Sequence, residues 1–190
     1  MPFAAGLLAA SMRDNPLHLQ VFGRDQVRLE PLLSRAFARL LHRQLRTGHV
    51  LCAYEGDALV GVAAMVAPGH CRLPASERLA MLGLLARAGA LHRLPWIAGW
   101  LRCWAGHDPR VDHWHLGPAA VARAYQGRGI GTRLMEEVCD RLDRSRGLGY
   151  LETDKPENVR LYRRGGFEVV AEQAVLGIPN WFMLRRPRPD

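Results

Sequence analysis

Between residues 112 and 145 the sequence changes its period twice within a few positions. DHWHLGPAAV (112–121) reads as a strand, although Gly117-Pro118 should interrupt its ladder. Gly127, Gly129 and Gly131 follow within five positions, and Ile130, Leu134, Met135, Val138, Cys139 and Leu142 then recur at helical spacing to about Ser145. Each ordered glycine loses more backbone freedom than any other residue. Three together before a helix indicate a backbone that must lie close to something. A strand feeding a helix N-terminus through such a loop offers unpaired N–H groups and the positive end of the helix dipole, which together make an anion site. Arg128 and Arg133 add cations nearby. The loop lacks GxxxxGK[ST], and GxGxxG fails because Thr132 stands where its third glycine would be, so neither phosphate motif applies.

The flanking sequence extends the same architecture. The N-terminal stretch MPFAAGLLAASMRDN reads as a helix, without the basic region of a signal peptide. From Gln26 to Arg46 an apolar stripe (Leu29, Leu32, Leu33, Ala36, Phe37, Leu40, Leu41, Leu45) predicts an amphipathic helix with an arginine face, stopped at Thr47-Gly48. Residues 49–54 and 58–67 predict a hairpin around Glu55-Gly56-Asp57. Residues 74–106 predict helix from an N-cap at Ser76, broken at Pro95, with Trp96, Trp100 and Trp104 on one face. That stripe is either core packing or the wall of a pocket. YLETD reads as a strand, 158–164 as a short helix before Gly165-Gly166, and FEVVAEQAVL and NWFMLRR as antiparallel strands turning at Gly177-Ile178-Pro179.

Composition sets limits. The 190 residues suit a single α/β domain, and with 48% hydrophobic and 23% charged residues the chain is neither disordered nor a membrane protein. Cys52, Cys71, Cys103 and Cys139 lie far apart, with no CxxC and no histidine at ligand spacing. This predicts free thiols in a reducing cytoplasm, and neither a metal site nor a disulfide framework. The net charge of +8 comes almost wholly from arginine, since Lys155 is the only lysine. Such a surface attracts nucleic acid, a membrane surface or a phosphate-bearing small ligand, or is merely solvated.

The pattern Gln126-x-x-Gly129-x-Gly131 after an apolar strand resembles the acetyl-coenzyme A signature of the GNAT (GCN5-related) N-acetyltransferases. Tyr162 in LYRRGGF resembles that family's tyrosine-helix motif, and the order of elements is similar. YLETDKPENVRLYRRGGFEV with NWFMLRRP is similar to the end of the bacterial subgroup that includes puromycin N-acetyltransferase. The resemblance covers residues 12–70 loosely and 111–186 well. It implies a mixed-sheet GNAT fold over residues 1–190, with a helical insert at about 71–110 between the family's third and fourth strands. The family's first strand is missing, because the chain begins at a helix; either that strand is absent or the natural chain starts earlier. An absent strand would leave an open sheet edge, a surface for a homodimer.

The resemblance also implies roles. Acetyl-CoA is the acyl donor and no metal takes part. The backbone of Gln126, Gly127, Arg128, Gly129, Ile130, Gly131 and Thr132 corresponds to the pyrophosphate cradle, Val121 to the residue pairing with the pantetheine arm, and Ala119 to the N–H facing the acetyl carbonyl. Tyr162 corresponds to the general acid. Asn158, one turn earlier, binds the coenzyme amide or a water; many members place that asparagine where Lys155 stands here. For the general base, Glu152 ranks first and His115 second. His113, which alternates with His115 on one strand face, joins Trp96 and Trp100 as pocket candidates. The expected reaction is direct acetyl transfer to a primary amine of a small molecule, antibiotic-like or xenobiotic. The alternatives are protein or peptide N-acetylation, and a non-catalytic acyl-CoA or nucleic-acid-binding module. The intact loop and Tyr162 disfavour the latter.

Overall fold

The computed structural model describes residues 1–188. Three helices, α1 (Pro2–Met12), α2 (Pro16–Phe22) and α3 (Gln26–Thr47), precede the hairpin β1 (Gly48–Glu55) and β2 (Ala58–Val66). The insert follows as α4 (Ala75–Arg87) and α5 (Leu94–His107). The remainder alternates: β3 (Trp114–Val121), α6 (Ile130–Arg144), β4 (Gly149–Thr153), α7 (Pro156–Arg164), β5 (Glu168–Val175) and β6 (Ile178–Arg185). One mixed sheet forms in the order β1-β2-β3-β4-β6-β5, the α/β architecture that the sequence predicts. Among the described residues no strand precedes α1, so β1 is an edge of the sheet.

Both faces of the sheet are covered. Ala4, Ala5, Leu8 and Ala9 of α1 pack with Leu33, Phe37 and Leu41 of α3 against Val62 and Ala64 of β2. The apolar N-terminus is thus a buried helix between α3 and the sheet. On the other face, Leu134, Met135, Val138 and Leu142 of α6 pack against Ala63, Met65, Leu151 and Met183. Because neighbouring residues of β2 are buried on opposite faces, its apolar pattern is nearly continuous.

Three local expectations are corrected. The insert is not one helix broken at Pro95: α4 ends at Arg87, Gly89 takes a left-handed φ of +65°, and Pro95 lies in the first turn of α5. Proline is at home in that turn, where its missing N–H costs nothing. The N-cap of α4 is Pro74 rather than Ser76, and no side chain caps it. The last hairpin turns at Leu176-Gly177, with both φ values positive (54° and 83°), as a tight two-residue connection requires.

One polar link fixes the end of α7. Arg185 on β6, only 2% exposed, donates to both carboxylate oxygens of Asp143 on α6 at 2.7 Å and from Nε to the Gly165 carbonyl at 2.8 Å. The Arg185 guanidinium holds the Asp143 carboxyl down at about 2. A depressed folded-state pKa stabilises above the unfolded value of about 3.9 and loses that stability as pH falls through the folded value. Asp143→Asn should therefore lower the melting temperature near neutrality, by roughly 2–4 °C per kcal/mol lost. The gap from wild type in thermal melts should narrow between about pH 4 and 2.

Candidate active site

Strands β3 and β4 run parallel but pair only at Trp114–Gly149 and His115–Tyr150. Beyond His115 they part, so Leu116–Val121 keeps its ladder to β2 and has no strand partner on the other side. Gly117 and Pro118 sit at the break: the register with β2 shifts between Ala63 and Met65, opposite them. The opening between the strands holds two cavities.

The larger, about 530 Å³, runs from Ala119–Val121 along the glycine loop to α7. Gly127 (φ +77°) and Gly129 (φ +81°) hold left-handed conformations, and a Cβ at either would meet nothing within 4 Å. These glycines shape the backbone and leave its surface open. Gly129 is the N-cap of α6 with no side-chain cap, and the first helical bond here runs from the Arg133 N–H to the Gly129 carbonyl. The preceding N–H groups therefore face the cavity with the helix dipole behind them. Gly131, Ile130 and Thr132 line the same cavity. Gln126 donates from Nε2 to the Val121 carbonyl at 3.0 Å, fixing the loop to the end of β3. Arg128 lies over the Tyr125 ring, 5.0 Å from its centroid, and reaches Glu55 at 3.5 Å.

The smaller cavity, about 340 Å³, lies toward the insert, walled by Trp100, Trp104, Phe37, His115 and Glu152. Trp100 meets Trp104 edge-on at 5.1 Å and His18 at 5.6 Å. The stripe divides here, because Trp96 is 45% exposed and lies outside the cavity. Met12, Asn15, Ala119, Asn158 and Tyr162 line both cavities, so the two spaces meet at these side chains. Asn158 Nδ2 donates to Thr153 Oγ1 at 3.3 Å, which fixes α7 against the end of β4. Burial pushes the Tyr162 hydroxyl up to about 12, with the Asp154 charge adding to the effect, so it keeps its proton throughout the physiological range.

Behind the smaller cavity is a polar cluster. Glu152, its side chain 3% exposed, lies 3.0 Å from His115 Nε2. Asp108 Oδ1 is 3.6 Å from both His115 Nδ1 and His113 Nε2, and Cys71 Sγ is 3.6 Å from His113 Nε2. Burial pulls His115 down, but the Glu152 and Asp108 carboxylates outweigh it, and its pKa rises well above the usual value. Burial also opposes charge on His113, yet Asp108 and Cys71 raise it to about 10. The two histidines in turn overcome burial to draw Cys71 down to about 7, and hold Asp108 well below the carboxylate range.

Residues without any motif complete the site. Met12 and Asn15, from α1 and the joint before α2, line both cavities, and Ser11 lines the larger one. The Leu17 N–H donates to Asp154 at 2.9 Å, and Asp14 pairs with Lys155 at 3.4 Å and with Arg123. The sequence separation of Cys71 and Asp108 from His113 and His115 hid their approach, which no spacing in the sequence signals.

A model of the Acetyltransferase (GNAT) family matches residues 95–167. The matched segment carries the glycine loop and Tyr162. The complete chain superposes on a Corynebacterium glutamicum structure described as histone acetyltransferase HPA2 and related acetyltransferase, with a TM-score of 0.69, 20% identity, and coverage of 100% of this chain and 92% of that one. PH1933 from Pyrococcus horikoshii matches at a TM-score of 0.60 and 15% identity, over 98% of this chain and 92% of its own. A NatC complex bound to Gag peptide and CoA matches at 0.50 and 13%, over 82% and 80%. At such identities the likeness is one of fold: the six-stranded mixed sheet is that of GNAT acetyltransferases.

Proposed function

We propose that this protein transfers an acetyl group from acetyl-CoA directly to the primary amine of a small molecule. The observation that carries the reading is the meeting of an anion-cradling cleft and an aromatic-walled chamber at Ala119, Asn158 and Tyr162.

The cleft fits the coenzyme. Open space over Gly127 and Gly129, with free N–H groups from there to Thr132, suits a pyrophosphate. The unpaired edge of β3 at Ala119–Val121 suits an extended amide-bearing arm, which would complete its ladder. Bound acetyl-CoA supplies the thioester from which the acetyl group leaves. The Ala119 N–H donates to the charge that develops on the carbonyl oxygen, a contribution of about 10²–10³ in rate for one such donor.

Tyr162 is the proton donor: it lies at the junction and is protonated at neutral pH. For the base we rank Glu152 above His115. His115, raised well above the usual histidine value, already carries its proton and is poorly placed to accept another. The carboxylates of Glu152 and Asp154 on the chamber wall suit an incoming ammonium.

The insert supports a small acceptor, since Trp100 and Trp104 close the chamber on one side. Gln44 and Trp100 also line it, and among the described residues Gln44 Oε1 and Trp100 Nε1 are buried without a hydrogen-bond partner. The resemblance of residues 150–186 to the puromycin-type subgroup points the same way. A peptide acceptor is the second reading, favoured by the fold likeness to the peptide-bound NatC complex. Nucleic-acid binding is disfavoured by the pairing of Arg13, Arg39, Arg123, Arg128, Arg141 and Arg185 with carboxylates. Screening small primary amines beside peptide N-termini, by release of free CoA thiol, separates the acceptors. With the best acceptor, Tyr162→Phe should lower kcat by about 10²–10⁴ and leave the acetyl-CoA KM nearly unchanged. Unchanged kcat would remove Tyr162 from the chemistry.

A further inference from the structure

We propose that Cys71, Asp108, His113 and His115 form a zinc site that fastens both ends of the helical insert to β3 and supplies part of the acceptor chamber's wall. The donor atoms of Cys71, His113 and His115 lie within 4.8 Å of one another. Cys71 Sγ and Asp108 Oδ1 each approach His113 Nε2 at 3.6 Å, and Asp108 Oδ1 approaches His115 Nδ1 at 3.6 Å. The two Asp108 contacts exceed ordinary hydrogen-bond length, whereas the Cys71 contact is as long as a weak thiol hydrogen bond. They are close to the spacing of ligand atoms around a tetrahedral zinc, about 3.3–3.6 Å when Zn–S is near 2.3 Å and Zn–N near 2.0–2.1 Å.

Two independent observations point to a ligand here. Asp108 Oδ1 is buried and, among the described residues, makes no hydrogen bond of ordinary length; its nearest partners are the two imidazoles at 3.6 Å. Both imidazoles are also held from behind in the manner of metal ligands. His113 Nδ1 is 2.9 Å from the Val111 carbonyl, which takes its N–H and leaves the Nε2 lone pair facing Cys71 and Asp108. His115 Nε2 faces the Glu152 carboxylate at 3.0 Å, which leaves Nδ1 facing Asp108. A thiolate, two imidazoles and a carboxylate suit zinc, whereas magnesium and calcium take oxygen donors.

The position gives the site a purpose. Cys71 lies between β2 and α4, Asp108 caps α5, and His113 and His115 enter and occupy β3. A metal here closes the insert at its root, where among the described residues no disulfide does so. Cys71 and His115 also line the chamber, so the metal sits at its wall. With the metal in place of the proton on His115 Nδ1 and its Nε2–H on Glu152, His115 still has no lone pair free to act as base.

The test is the metal content of the full-length chain purified without chelator, followed by cobalt substitution. About one zinc per chain is expected, with a thiolate-to-cobalt charge-transfer band in the cobalt form. Cys71→Ser and His113→Ala should each lose the metal, Cys103→Ala should retain it, and Glu152→Gln should weaken zinc affinity about 10–100-fold. Circular dichroism and CoA titration of each variant separate metal loss from misfolding and from failure of the acetyltransferase reading. Wild-type protein that is purified metal-free and takes up neither zinc nor cobalt after thiol reduction overturns the site. So does a folded Cys71→Ser, His113→Ala double variant that keeps its zinc.

Discussion

Everything in the site depends on how early β3 and β4 stop pairing. Two residue pairs hold them together, and after His115 they separate. A parallel pair that continued would satisfy the backbone of Ala119–Val121 and leave no cleft. The partial ladder instead turns this backbone toward an opening, where side chains such as Gln44 and Gln126 meet some of its carbonyls. The break falls at Gly117-Pro118, and proline cannot donate to a ladder. One short irregularity thus fixes where the coenzyme-type cleft, the chamber and their junction lie.

The helices on either side convert that opening into a site. α6 brings its uncapped N-terminus to the cleft, α7 brings Tyr162 and Asn158 to the junction, and α1 and α2 close the top through Met12 and Asn15. The Arg185–Asp143 pair holds the end of α7 to β6 and α6, so the position of Tyr162 is tied to the core. Such a support matters, since an error of about 1 Å in a reacting group can cost roughly 10² in rate.

Legibility in the sequence followed the range of the interactions. The α6 stripe, the hairpin and the glycine loop are local patterns, and each was readable where it stands. Pro95 misled because proline breaks a helix interior yet suits a first turn, and only Gly89 in its left-handed conformation decides between them. Trp96 and Trp100 share a helix face by spacing, but the neighbours of α5 determine which is covered. The covering role of Ser11–Asn15 has no motif, because it arises from the docking of α1 and α2 on the distant end of β4. The Cys71–His113 approach joins residues 42 apart and left no spacing signal except the His-x-His in β3. That pair of alternating histidines was the available hint of a ligand group.

The central claim is that the glycine loop binds a coenzyme pyrophosphate through its backbone. The most direct measurement is calorimetric titration of CoA into the wild type, Gly129→Ala and Gly129→Glu. Both substitutions strain the same left-handed residue, and only the second places a carboxylate in the open space over the loop. The account predicts micromolar binding by the wild type, weaker binding by the alanine variant and none by the glutamate variant. A wild type that does not bind CoA, or a folded Gly129→Glu protein that binds as tightly as wild type, would contradict it.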